Sequence, residues 1–224
     1  MKYYAVRTGK QPGIYESWTE CREQTHGFSG AVFKAFEDKE AAELFLNETA
    51  PERIINKALP FAFIDGSFSK GKGLYSYGGF IFTGTEYRII QGTGDAADYM
   101  QYRNITGEIR GALEIIKTAV QLEIKELNLY HDYAGIEKWI TGEWDCKTKL
   151  SQYYRAYYEK RRGRLKVNFV NVKGHTGIEG HEIADYLAKE AAGAKLRKKD
   201  VKALAEFREA AARNATLNLQ EGEP

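Results

Sequence analysis

A chain of 224 residues with 43% hydrophobic and 13% aromatic content is long enough for one sizeable core plus a smaller module, and too apolar to be disordered. Its 33 Lys+Arg against 31 Asp+Glu leave a net charge of only +2, so any nucleic-acid surface must be a local patch. No apolar run approaches the roughly 20 residues that cross a bilayer, and the start MKYYAVRTGKQPG lacks the apolar core of a secretory signal; the expectation is a soluble, cytoplasmic protein. Cys21 and Cys146 are too few for a disulfide framework or a zinc cage.

In chain order, residues 1–50 read as a small independent unit. A strand over Lys2 to Arg7, a turn at Gly9, Pro12 and Gly13, and a second strand around Ile14 to Trp18 suggest a hairpin. A helix follows, N-capped by Asp38, with Ala41, Leu44 and Phe45 on its apolar face. Residues 51–60, PERIINKALP, are bracketed by prolines and carry no sustained period, which places a linker there. From Phe61 the pattern becomes FAFID, YSYGGFIFT and EYRIIQG, three strands with tight connections and therefore antiparallel neighbours. A long helix from Asn104 to about Leu122 keeps Ile105, Ile109, Leu113, Ile116 and Val120 at helical spacing. Strand ELNLYHD, a helix at Ala134 to Thr141, a Tyr-rich helix near Leu150 to Lys160, strand LKVNFVNV and a helix at Glu179 to Ala192 complete an α/β unit with a mixed sheet. Residues 194–224 form a basic, partly helical tail.

Asp65 follows an apolar strand and precedes Gly66 and Ser67, so it is expected to project from the strand's C-terminal edge and not to be buried within the sheet; Asp132 does the same after ELNLYH. Neighbouring parallel strand ends border the crevice where open α/β sheets place ligands. Glu108 lies in the first turns of the long helix, and Asp185 in the last helix among Ile183, Ala184 and Leu187. Taken singly, each acid fits a turn, a cap or a solvated helix position equally well. Together they require neutralisation, because clustered carboxylates do not all ionise without cations. Oxygen-only ligands favour magnesium or manganese, and two such ions roughly 3.5–4 Å apart can activate water and stabilise a departing phosphodiester oxygen.

The set FAFIDGSF, NITGEIRGALEII, LYHDY and VKGHTGIEGHEIADYLAKEA resembles the type 1 ribonuclease H family over residues 61–193. That resemblance implies a five-stranded mixed sheet flanked by helices. It also implies metal binding by Asp65, Glu108, Asp132 and Asp185, with two Mg2+ ions and Mn2+ able to substitute. The implied activity is a hydrolase: endonucleolytic cleavage of the RNA strand of an RNA/DNA hybrid, leaving 5′-phosphate and 3′-hydroxyl ends. His175 matches the family's mobile histidine, a proton shuttle or product-release residue, although a glycine-flanked loop histidine is often only a turn residue. Glu182 is a further candidate on the face of Asp185, whereas strand alternation turns His131 away from Asp132 into a structural role. Asn104 matches the residue that contacts the minor groove, and also fits a helix N-cap.

The basic handle of many relatives is altered here into the pairs Tyr153/Tyr157 and Tyr154/Tyr158, read as core or stacking residues. Lys160, Arg161, Arg162 and Arg164 follow as a candidate phosphate contact. Residues 1–48 resemble the hybrid-binding domain that precedes many type 1 ribonucleases H, giving a small α/β module. The resemblance maps DNA-strand contacts onto Trp18, Phe33 and Lys34; core packing is the competing reading of the two aromatics. Ala35 replaces a second lysine of some relatives, and this module holds more acidic than basic residues, so its affinity is expected to be weaker. Lys195, Arg197, Lys198, Lys199 and Lys202 in the tail read first as a solvated helix end and second as a phosphate patch. The expected partner is the hybrid duplex, with no membrane and a monomer as default.

Overall fold

The computed structural model describes residues 2–28, 31–47, 58–95, 101–172 and 178–221. The linker expected over 51–60 falls mostly outside them. The chain divides into two compact units, each with its own sheet.

The smaller unit consists of β1 (Tyr3–Thr8), β2 (Gly13–Tyr15), α1 (Trp18–Thr25), β3 (Val32–Phe36) and α2 (Lys39–Asn47), with strand order β2-β1-β3 and antiparallel pairing throughout. Trp18, expected in the second strand, instead opens α1. The cause is a capping box: the Glu20 amide donates to Ser17 Oγ at 3.2 Å and the Ser17 amide donates to Glu20 Oε2 at 3.2 Å. Such caps are worth about 1 kcal/mol, enough to decide where a short helix begins. Asp38 caps α2 as expected, accepting from the Ala41 amide at 2.7 Å; the Leu44 side chain lies outside the described residues. Ala5 and Val6 point to opposite faces of β1 and both are fully buried, so each face is covered. Phe36 and Phe45 pack at 5.3 Å on one of them, beneath the Arg7 guanidinium.

The larger unit runs β4 (Phe61–Ser69), β5 (Leu74–Phe82), β6 (Tyr87–Gly94), α3 (Asn104–Gln121), β7 (Glu126–His131), α4 (Gly135–Thr141), α5 (Lys149–Glu159), β8 (Lys166–Asn171), α6 (Glu179–Ala191) and α7 (Lys198–Glu221). The five strands lie in the order β6-β5-β4-β7-β8, antiparallel from β6 to β4 and parallel from β4 to β8. On one face Ala62, Ile64, Ile81, Leu127 and Leu129 meet Ile109, Ile116, Ile136, Leu150 and Tyr154 of α3, α4 and α5. On the other face Phe63 stacks on Tyr130 at 4.6 Å, beneath α6. The tail is not a loose end: Leu204 of α7 is 2% exposed, and Phe207 packs on Phe80 and Tyr87. Among the described residues, no helix is long and apolar enough to cross a membrane.

Candidate functional site

Two contacts made possible by glycine bring the acids together. A Cβ on Gly66 would lie 2.4 Å from the Glu108 amide nitrogen, and one on Gly107 would lie 2.1 Å from the Ser76 carbonyl oxygen. Without those side chains the first turns of α3 rest directly on β4 and β5. On the opposite face a Cβ on Gly78 would lie 2.1 Å from the Ala188 nitrogen, so β5 receives α6 in the same way. Ser76 Oγ then donates to the Ala188 carbonyl at 2.8 Å.

Asp65 departs from the expectation. It sits in the interior of a nine-residue strand, 8% exposed, because β4 continues through Gly66 as the long arm of a hairpin whose register runs to Ser69↔Leu74. The strand end that matters is that of the parallel pairing. β4 and β7 pair from Phe61↔Asn128 to Phe63↔Tyr130, and continuing this register sets Asp65 opposite Asp132, where β7 has ended. Alternation gives both acids the face covered by α6.

Asp65 Oδ1 and Glu108 Oε1 both accept from the Gly66 amide, at 2.7 and 3.0 Å. Glu108 is 3% exposed, and its Oε2 has no hydrogen-bond partner. Burial first, then the neighbouring charges of Asp132 and Asp185, push the Asp65 carboxyl up to about 6, against a lowering bond with Glu108. Burial, followed by the charge of Asp65, raises Glu108 well above the usual carboxylate range. Asp185 is clasped by Lys189 at 2.6 Å, one turn further along α6. Asp65 therefore feels all three of the other acids and Glu108 feels Asp65 and Asp132; burial is the main cause of both upward shifts, and for Asp65 the nearby His181 charge offsets part of it.

A fifth group joins them, one that the sequence reading passed over. His181 of α6 is 4% exposed and lies one turn before Asp185; its Nε2 is 3.5 Å from Asp132 Oδ2. Ligating atoms of Asp65, Asp132 and His181 lie within 4.8 Å of one another. Burial lowers the His181 pKa, but the adjacent Asp132 carboxylate and the charges of Asp65 and Asp185 outweigh it and hold the imidazole above its ordinary value. The available signal was the i, i+4 spacing of His181 and Asp185, which puts both on one helical face.

The model for the "RNase H" family matches residues 58–193, more than half of the chain. The chain belongs to the ribonuclease H family. A second family model, "Ribonuclease H1 N-terminal domain", matches residues 2–46. Human Ribonuclease H1 is 23% identical over 85% of this chain and 89% of its own length. The Ribonuclease H of Saccharomyces cerevisiae is 46% identical over 46 residues, which are 20% of this chain and 13% of the yeast protein. In Crithidia fasciculata the match is 48% over 44 residues, 20% of this chain and 9% of that Ribonuclease H. The chain thus spans a small part of those two relatives and most of the human one. Among solved structures, RNase H1 of Halobacterium salinarum is 22% identical, covering 60% of this chain and 97% of that one at a TM-score of 0.45.

Of the other positions that the family resemblance singles out, Asn104 is exposed at the first position of α3, one turn before Glu108; the N-cap itself is Arg103, at φ 51, so the capping role expected of Asn104 is not observed. His175 lies outside the described residues. Glu182 is exposed and lines a cavity of about 510 Å³ beside Asp185, His181 and Ser67, rimmed by Lys189, Lys195 and Arg197. His131 faces away from Asp132 as expected. It is fully buried, its Nδ1 lies 3.0 Å from the Tyr133 carbonyl oxygen, and burial lowers its pKa to about 4, but its Nε2 has no hydrogen-bond partner, so it is not the fully satisfied histidine that a structural role leads one to expect. The tyrosine pairs divide: Tyr154 and Tyr158 are core, while Tyr153 is exposed and Tyr157 lies beneath the Arg161 guanidinium at 3.5 Å.

In the smaller unit Trp18 and Phe33 are 47% and 41% exposed with ring centroids 5.7 Å apart, and Tyr4 adjoins Trp18 at 5.8 Å. They form a solvent-facing strip and not a core. Lys34, next to Phe33 in β3, takes the opposite face by alternation and lies 5.3 Å from the Phe36 ring.

Proposed function

We propose that this chain hydrolyses the RNA strand of RNA/DNA hybrids endonucleolytically, using two divalent cations and leaving 5′-phosphate and 3′-hydroxyl ends. The observation that carries this reading is the meeting of Asp65, Glu108, Asp132 and Asp185, from two strands and two helices, where the β4–β7 pairing stops. The donor set fits hard cations: the unpartnered Glu108 Oε2 and the raised Asp65 and Glu108 describe carboxylates in need of positive charge. Asp65 and Asp132 would hold the ion on the water-activating side, with Asp185, and Glu108 the ion on the leaving-group side. Bound there, Mg2+ or Mn2+ supplies a lowered pKa for water and charge stabilisation for the departing oxygen. The protein's own part is positional. Gly66 and Gly107 fix the height of Glu108 over the sheet, and exposed Asn104 stands one turn away, where an amide can sense 2′-hydroxyls in a shallow minor groove.

The N-terminal unit would add hybrid affinity through Trp18 and Phe33, whose exposed rings suit the apolar face of deoxyribose. Lys34 would contribute from the edge strand, around the sheet from that strip. Duplex length and sequence would matter little to such contacts, which rest on sugar shape and phosphate charge.

The test is a panel of end-labelled substrates with the full chain in Mg2+. RNA in a hybrid should be cut to 5′-phosphate products, chelator should stop the reaction, and single-stranded RNA and duplex DNA should persist. Cutting of duplex DNA at a comparable rate would contradict the proposed substrate.

A further inference from the structure

The oxygen ligands of the proposed centre are joined by one nitrogen. Imidazole Nε2 of His181 is buried, has no hydrogen-bond partner, and faces the Asp65 and Asp132 carboxylates with all three ligating atoms within 4.8 Å. At 3.5 Å from Asp132 Oδ2 it is beyond a well-formed hydrogen bond, so Nε2 is directed at the acids without being tied to any one of them, and a cation bound there would take the place of the proton that the acids favour on the imidazole. His181 is not a chance neighbour. It rides the rigid α6, between Gly180, which abuts the Phe63 ring, and Ile183 and Ala184, both buried, so its backbone has little freedom to move away.

A nitrogen donor alters which cation such a site prefers. Magnesium takes oxygen ligands and keeps its waters, whereas first-row transition metals gain affinity from imidazole, manganese least among them but still more than magnesium. We propose that His181 supplies an Nε2 donor to the cation held by Asp65 and Asp132, making this a mixed oxygen and nitrogen centre that prefers manganese(II) to magnesium. The inference rests on reading those carboxylates as a cation site, and it deepens that reading by naming the cation class. Asp185, one turn on, stays an oxygen donor and is clasped by Lys189. The two ends of the carboxylate cluster thereby differ: a nitrogen beside Asp132 and a lysine beside Asp185.

Direct detection of the bond is the appropriate experiment. Full-length protein is loaded with one equivalent of Mn2+, and pulsed electron paramagnetic resonance reads 14N modulation from a directly bound imidazole. Calorimetric titration gives Mn2+ and Mg2+ affinities in parallel. The wild type should show the nitrogen coupling. In His181→Asn, with folding verified by its melting curve, the coupling should vanish and the Mn2+ over Mg2+ preference should shrink by roughly 10-fold or more. His181→Glu should restore binding through oxygen, without the coupling and with the preference still reduced.

Tight Mn2+ binding with no nitrogen coupling in the wild type would overturn the inference alone. It would make His181 a fixed counter-charge and leave the carboxylate site standing. An unchanged coupling in His181→Asn would overturn it as well. Failure to bind Mn2+ at all would overturn both the inference and the cation site beneath it, whereas loss of hybrid cleavage with coupling intact would bear only on the proposed substrate.

Discussion

At the scale of single residues, Asp65 and Glu108 set a pH dependence that can be worked out in sign. Their folded pKa values lie above those of an unfolded chain, so protonation stabilises the metal-free fold. That stability is fully present below about pH 4, where the unfolded carboxylates are also protonated, and for Asp65 is lost as the pH rises through about 6. His131 has the opposite sign over nearly the same window, since its neutral form, favoured by burial, gives stability that falls away from about pH 6.5 towards 4. Comparing variants therefore isolates the acids better than the wild-type curve does. Asp65→Asn is expected to raise the metal-free melting temperature at pH 7 by roughly 2–8 °C, corresponding to about 1–2 kcal/mol, and to change little near pH 4. Added Mn2+ should stabilise the wild type and not the variant. A wild type more stable than Asp65→Asn in chelator at pH 7 would mean that the carboxylates are not under strain.

At the scale of elements, the glycine contacts and not the acids determine whether a site forms. Gly66→Ala places a methyl against the backbone of α3, and backbone cannot step aside as a flexible side chain can. Such overpacking costs typically 1–3 kcal/mol, so the expected result is a lower denaturation midpoint and cleavage reduced out of proportion to stability, because Glu108 is displaced. Full activity in a stable Gly66→Ala protein would show that α3 need not seat so closely. The same contacts explain what the sequence could and could not convey. The stripe Ile105, Ile109, Leu113, Ile116 and Val120 announces α3 almost to the residue, because one helix face carries the core. Gly66 reads locally as a turn, yet here it is a strand residue without a side chain so that a helix can approach; the turn comes later, near Gly73 at φ 59. Ser17 and Glu20 already spelled a capping box, and β3 was hidden because Phe33, Lys34 and Ala35 are all exposed and show no polar alternation. His181 escaped notice because the motif directs attention to Asp185, although the i, i+4 spacing was visible.

At the scale of the whole molecule, the proposed function assigns chemistry to one unit and capture to the other. The larger unit holds every acid of the site, and α7 belongs to it structurally: Leu204 is buried and Phe207 covers Phe80 and Tyr87, which no periodicity in the tail alone discloses. The smaller unit holds the exposed aromatic strip. Because Trp18 and Phe33 leave 47% and 41% of their surface in solvent and stand outside the core, Trp18→Ala with Phe33→Ala should lower the melting temperature by only about 2–8 °C and leave the protein folded. Hybrid affinity should fall roughly 10-fold or more by electrophoretic or fluorescence titration, on the scale of 1–3 kcal/mol per aromatic contact with a nucleic acid. Unaltered affinity would return the strip to a merely structural role.

The central claim is that the carboxylates gathered where β4 and β7 part company perform metal-assisted cleavage of hybrid RNA. Its most direct measurement is single-turnover cleavage of a labelled RNA/DNA duplex by the wild type and by Asp65→Asn, at saturating enzyme and in both Mg2+ and Mn2+. The account predicts strand-specific cutting by the wild type and a loss of roughly 100- to 1,000-fold or more in the variant with duplex binding retained, as removal of a key electrostatic group entails. Equal rates for the two proteins would contradict it.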